Sequence, residues 1–201
     1  MKRFIYVFLL ICALLGNSAH IGTGGDVVPY YNENNVLANN VKNELTNEVD
    51  SYIKQVAPTS LVTAEYLVTE CHEYDVDIIF VLAQGTIESH FATKGIGGKI
   101  NSIFNVCVYD NIKSGNRVNK SHRYEHPDES IEPYLQLLRE SYLVNGKTEA
   151  DMLVNYVNLY GQRYASHPQY ETQLASVMKR IKRTTKIDSL NQKYRDIQIQ
   201  A

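Results

Sequence analysis

Apolar residues recur at helical spacing through most of the chain from Glu48 to Ile187. The densest run, Ile78-Ile79-Phe80-Val81-Leu82-Ala83, is apolar on every side and follows Asp77, a good helix N-cap. That pattern predicts a helix buried at the centre of the fold and ending at Glu88. Around it the spacing predicts a short helix over Glu48 to Val56, stopped by Pro58, and a second one capped by Thr59 or Ser60 that carries Leu61, Ala64, Leu67 and Val68 on one face. Pro127 suits a first helical position ahead of Ile131, Tyr134, Leu135, Leu138 and Tyr142. Thr148 caps a further helix with Leu153, Tyr156, Val157 and Tyr160, closed by Gly161, and a last helix starts near Pro168 and buries Tyr170, Leu174, Val177 and Ile181.

The helical period fails in three places. Between Phe91 and Tyr124, Gly95, Gly97 and Gly98 lead into Ile103-Phe104-Asn105-Val106-Cys107-Val108-Tyr109 and the turn-like Ser114-Gly115-Asn116, which reads as a loop and a small β-hairpin. Residues 20–47 are rich in Gly and Asn without sustained periodicity, the pattern of a flexible linker or arm. At the start, Lys2 and Arg3 precede the apolar run Phe4 to Leu15 and the small residues Gly16 to Ala19, the layout of a signal peptide over residues 1–19. Cys12 offers a lipoprotein alternative, with Ile11 where a small residue would be expected. The run is short for a membrane span, so no stable membrane insertion is expected after cleavage. The resulting organisation is a signal peptide, a linker, one domain over 48–187 and a tail over 188–201. Its fold class is α+β, mainly α, with a β-hairpin lobe after the Glu88 helix.

Charge sharpens this picture only slightly. With 20 Lys and Arg against 22 Asp and Glu the net charge is −2, and cleavage after Ala19 removes two basic residues and leaves −4. Nothing suggests a nucleic-acid partner. Export to the periplasm or cell envelope, or secretion, would leave Cys71 and Cys107 in an oxidising compartment, either bridged or with Cys71 as a buried thiol. His90, His122, His126 and His167 are scattered, without the i, i+4 spacing of zinc hydrolases, so neither a metal nor a cofactor is expected. The basic residues Lys179, Arg180, Lys182, Arg183 and Lys186 read as a solvated helix face or as an attraction for an anionic polymer.

Glu88 is the candidate for chemistry. A carboxylate at the end of an apolar helix either marks the helix's emergence into solvent or holds its proton. Apolar surroundings and the negative end of the helix dipole both disfavour its ionised form. A proton retained near neutral pH suits a general acid.

Four stretches then resemble the glucosaminidase branch of the lysozyme-like superfamily, peptidoglycan-cleaving enzymes related to flagellar and autolysin glucosaminidases. They are Gln84-Gly85-Thr86-Ile87-Glu88-Ser89-His90-Phe91, with its Glu-Ser signature; Asn101-Ser102-Ile103-Phe104-Asn105-Val106; Tyr124 through Asp128-Glu129-Ser130-Ile131 to Tyr134; and Tyr164-Ala165-Ser166-His167-Pro168-Gln169-Tyr170. The similarity runs from about Ala57 to Arg183, and its specificity lies in the order of the four elements. Ala92, where the family usually has Gly, and Cys107, in the strand toward Asp110, depart from the pattern.

The resemblance implies a lysozyme-like fold and a hydrolase of the β-1,4 bond after N-acetylglucosamine, with Glu88 as acid and Tyr164 as the active-site tyrosine. Glycan strands of peptidoglycan would be the partner, and the N-terminal arm would reach an assembly. A second carboxylate is usual for glycoside hydrolysis. Asp110 is the candidate, with Glu125 and Asp128 as rivals and the substrate's own N-acetyl group as a substitute. With 15 Tyr and no Trp, sugar stacking falls to Phe91, Phe104, Tyr109 and Tyr124, and Asn101 and Asn105 are candidate donors to acetamido or hydroxyl groups. A muramidase or lytic transglycosylase would use a similar Glu helix, and an inactive glycan-binding module would keep the groove without turnover.

Overall fold

The computed structural model describes residues 33–105 and 123–200. Eight helices form this part: α1 (Glu33–Val56), α2 (Ala64–Glu73), α3 (Ile78–Glu88), α4 (Gly95–Ile100), α5 (Ile131–Leu137), α6 (Glu149–Val154), α7 (Tyr170–Thr184) and α8 (Ile187–Gln200). A 3-10 turn over Pro127–Ser130 leads into α5, and a π turn over Leu138–Tyr142 extends it. None of these helices is long and apolar enough to cross a membrane.

The apolar run does what its all-round hydrophobicity requires. Every residue of α3 from Ile78 to Thr86 is buried, and the Asp77 carboxylate caps the helix by accepting from the Ile79 and Phe80 amides at 2.7 and 3.4 Å. Helix α7 lies along α3, α2 packs on α3 and α5, and α6 packs on α7, so one core of aliphatic and tyrosine side chains surrounds the central helix.

Helix α1 replaces much of the expected linker, and the expected tail from 188 is α8. Asn is a weak helix former, which hides α1 from a reading by composition. Yet Ala38, Val41, Leu45, Val49, Tyr52 and Ile53 form one buried stripe along it. This stripe packs against α8, whose Ile187 and Leu190 are buried in return. Tertiary burial here outweighs propensity.

Other boundaries shift for local reasons. The cap of α2 is Thr63, not Thr59 or Ser60; the Ser60 hydroxyl donates to the Phe91 carbonyl and Leu61 stays exposed. Three glycines do not prevent α4 from forming. The Thr148 helix stops at Val154, well short of Tyr160, and an isolated antiparallel bridge pairs Val157 with Arg163. That early stop frees Tyr156 to turn inward, where it is fully buried. The described residues contain no strand: Ile103 to Asn105 are irregular, and the rest of the expected β-hairpin lobe lies outside the described residues. The fold shown is therefore mainly helical, in keeping with a lysozyme-like helical domain. Cys71 is a buried free thiol whose ionisation burial disfavours, and Cys107 lies outside the described residues.

Candidate active site

Glu88 is half-buried at the C-terminal end of α3. Each of its carboxylate oxygens receives a hydrogen bond from a different element. The Tyr170 hydroxyl, in the first turn of α7, donates to Oε1 at 2.5 Å, and the Asn105 amide donates to Oε2 at 2.9 Å and to the Glu88 carbonyl at 3.2 Å. Burial raises the proton affinity of the carboxyl, against these two bonds, which favour the ionised form; the balance lies above the usual carboxylate range.

Ser89 builds the turn that brings Asn105 there. Its hydroxyl donates to the Ile103 carbonyl at 2.7 Å and accepts from the Ala92 amide at 2.7 Å, while its carbonyl accepts from the Thr93 and Lys94 amides. The chain between turns through three consecutive left-handed residues, His90, Phe91 and Ala92, with φ of 48, 52 and 60°. Left-handed backbone is costly for residues with a Cβ. A glycine at position 92 would sit there without that cost, so the departure noted in the sequence falls on a strained position. Gly97 lets α4 approach this turn: a Cβ on it would lie 2.4 Å from the Ser102 carbonyl oxygen and 2.5 Å from the Ser89 Cβ.

Several of the expected ligands are packed in the core or bonded to backbone. Phe91 is buried against Gly85, with Tyr52 edge-on at 6.2 Å, and buried Phe104 stacks on Tyr134 at 3.7 Å, so neither ring offers a sugar a free face. Tyr124 is buried as well. Asn101, left-handed at φ 53°, commits its amide to the Tyr124 and Glu125 carbonyls, a turn residue serving backbone. Of the two asparagines, Asn105 is the one at Glu88. Tyr109 and Asp110 lie outside the described residues.

Tyr164 stands near Glu88 without bonding to it. Its hydroxyl donates to the Phe104 carbonyl at 3.1 Å, and its ring stacks on Tyr156 at 4.6 Å. Burial first, and then the nearby Glu88 charge, push its phenol pKa well up. Tyr170, which reads from sequence as a core position, is the tyrosine bonded to Glu88. The signal was present, since Tyr170 ends the quoted tyrosine element. Gln84, which opens the first of the four stretches, sits one turn before Glu88.

Of the two rival carboxylates, one serves the backbone. Asp128 accepts from the Thr63 amide at 2.9 Å and lies 3.4 Å from His126 Nδ1, tying the 3-10 turn to the start of α2. Glu125 is exposed and its amide donates to Glu129. Among the described residues no three His, Cys, Asp or Glu side chains gather as a metal-ligand set. What this arrangement can do is hold one proton on a half-buried carboxyl beside a tyrosine and an amide that keep both oxygens in place.

A family model described as mannosyl-glycoprotein endo-beta-N-acetylglucosaminidase matches residues 64–183, from the first residue of α2 into the last turn of α7. A search of curated proteins returned no match. The match encloses α3, the Asn101 to Asn105 segment and the tyrosine element, and leaves α1 and α8 outside it. The chain belongs to the glucosaminidase family, which implies the activity of a glycoside hydrolase.

Proposed function

We propose that this chain is an exported hydrolase of peptidoglycan that cleaves the β-1,4 bond after N-acetylglucosamine, with Glu88 as general acid. The observation that carries the reading is the Glu88 carboxyl itself, half-buried, inclined to keep its proton, and held on both oxygens by Tyr170 and Asn105. Glu88 gives its proton to the glycosidic oxygen as the bond to the anomeric carbon breaks, so the leaving sugar departs as a neutral alcohol. The two donors then stabilise the carboxylate that remains. Tyr164, packed on Tyr156 and Tyr170 beside Glu88, orients the sugar.

The developing positive charge at the anomeric carbon needs a partner, and we assign Asp110 to it. An Asp110→Asn variant that keeps the parent rate transfers the role to the substrate's N-acetyl group. Mass spectrometry of fragments released from purified cell wall tests the linkage. Reducing N-acetylglucosamine ends support the proposal. Reducing muramic ends assign a muramidase, anhydromuramic ends a lytic transglycosylase, and binding without new ends a glycan-binding module.

A further inference from the structure

Gln84 is fully buried in α3, four residues before Glu88 and on the same face. All its polar contacts run to tyrosines. Its carbonyl oxygen accepts from the Tyr134 hydroxyl and from the Tyr156 hydroxyl, the latter at 3.1 Å; its amide nitrogen donates to the Tyr170 hydroxyl at 3.2 Å. Two donors fill both lone pairs of a carbonyl, and one hydroxyl carries a single hydrogen. Because Tyr170 receives the Gln84 N–H on its oxygen, its own hydrogen points to Glu88 Oε1.

The opposite amide orientation would reverse this order. Tyr134 and Tyr156, both fully buried, also face each other, but a bond between them uses only one of their two hydrogens, so the other still needs the amide oxygen. An amide turned around would leave one of these hydrogens without a partner and would draw the Tyr170 hydrogen away from Glu88. Leaving buried polar hydrogens unpaired is costly, so the tyrosine pair fixes the amide and the amide fixes Tyr170.

We infer that Gln84 is a positioning residue, which through the direction of its amide keeps the Tyr170 hydroxyl hydrogen on Glu88. Its importance to turnover rests on Glu88 being the general acid, as proposed above; the hydrogen-bond direction itself does not. Among the described residues the groups facing Glu88 are Tyr170 from α7, Tyr156 and Tyr164 from the loop before it, and uncharged Asn105 from the other side. Among the described residues no cation pairs with Glu88.

The test is a carbon-13 NMR titration of the Glu88 carboxyl in the full chain, assigned by its disappearance in Glu88→Gln. Gln84→Met removes the amide. Gln84→Glu keeps the volume and an acceptor for Tyr134 and Tyr156 while replacing the N–H with an oxygen that competes for the Tyr170 hydrogen. In Gln84→Glu the proton affinity of Glu88 is expected to rise more than about tenfold, the loss of one hydrogen bond to a charged group added to like-charge repulsion, and in Gln84→Met by less than about tenfold, because the Tyr170 hydroxyl loses only the N–H that fixes and polarises it. In a Tyr170→Phe background the Gln84→Met effect is expected to vanish. A Glu88 midpoint unchanged in a folded Gln84→Met protein overturns the inference, and so does a rise that persists in full without the Tyr170 hydroxyl. If Gln84→Met fails to fold, the part of the Gln84→Glu rise that disappears in a Tyr170→Phe background decides, since the added charge acts with or without the hydroxyl. Full hydrolysis by Glu88→Gln would remove the catalytic reading and leave the titration result standing.

Discussion

Gly97→Ala opposes two effects of known sign. Position 97 is inside α4 with ordinary helical backbone, so propensity alone favours alanine by about 1 kcal/mol. Space does not. The added methyl would stand 2.4 Å from the Ser102 carbonyl oxygen, 2.5 Å from the Ser89 Cβ and 2.9 Å from Asn105 Oδ1. None of these is the free end of a long side chain. Opening each contact to van der Waals distance pushes α4 off the Ser89 turn by about 1 Å, an overpacking strain of about 1–3 kcal/mol. Asn105 is carried with it, and its bond to the Glu88 carboxylate, about 1.5–3 kcal/mol for a charged acceptor, is weakened or lost. The net expectation is a loss of about 2–4 kcal/mol in stability, read from urea unfolding at unchanged m-value, together with reduced hydrolysis. A Gly97→Ala protein within about 0.5 kcal/mol of the parent and equally active would refute the reasoning, because propensity would then have won.

Three further outcomes are expected. Ala92→Gly relieves left-handed backbone at φ 60°; after allowing for the greater freedom of glycine in the unfolded chain, a gain of about 0.5 kcal/mol should appear in chemical denaturation, and a loss would contradict it. Partial burial, with Arg195 and Lys42 nearby, depresses His72 to about 4. Between the ordinary histidine range and that value the unfolded chain binds the extra proton, so stability should fall as pH drops from about 6.5 toward 4, a slope that His72→Gln should flatten in melts across that window. Tyr164→Phe removes the hydroxyl bond to the Phe104 carbonyl and should cost about 1 kcal/mol in urea unfolding while leaving the Tyr170–Glu88 bond intact.

What the sequence revealed about this fold followed how local each cause is. Asp77 and the apolar run after it specify α3 through cap and burial alone, and both appear as read. The elevated proton affinity of Glu88 was also legible, because burial follows from the residues around it. The limits of α1 and α8 were not, since each is held by the other across the fold and neither has a composition that announces a helix. The same applies within the site. Phe91 and Phe104 look like sugar platforms beside a motif, yet the turn at Ser89 directs both rings into the core. Tyr164 and Tyr170 cannot be ranked by spacing. Which one reaches Glu88 depends on where the Gly161 loop delivers the first and where α7 begins for the second, and only the packed chain decides that.

The central claim, that Glu88 supplies the proton for glycosidic cleavage, is tested most directly by the turnover of purified peptidoglycan by Glu88→Gln, with folding verified by an unfolding curve. Removing a general acid is expected to lower the rate by about 10²–10⁴-fold at neutral pH, with binding to the wall retained. Release of reducing ends at the parent rate by the folded variant would contradict the account.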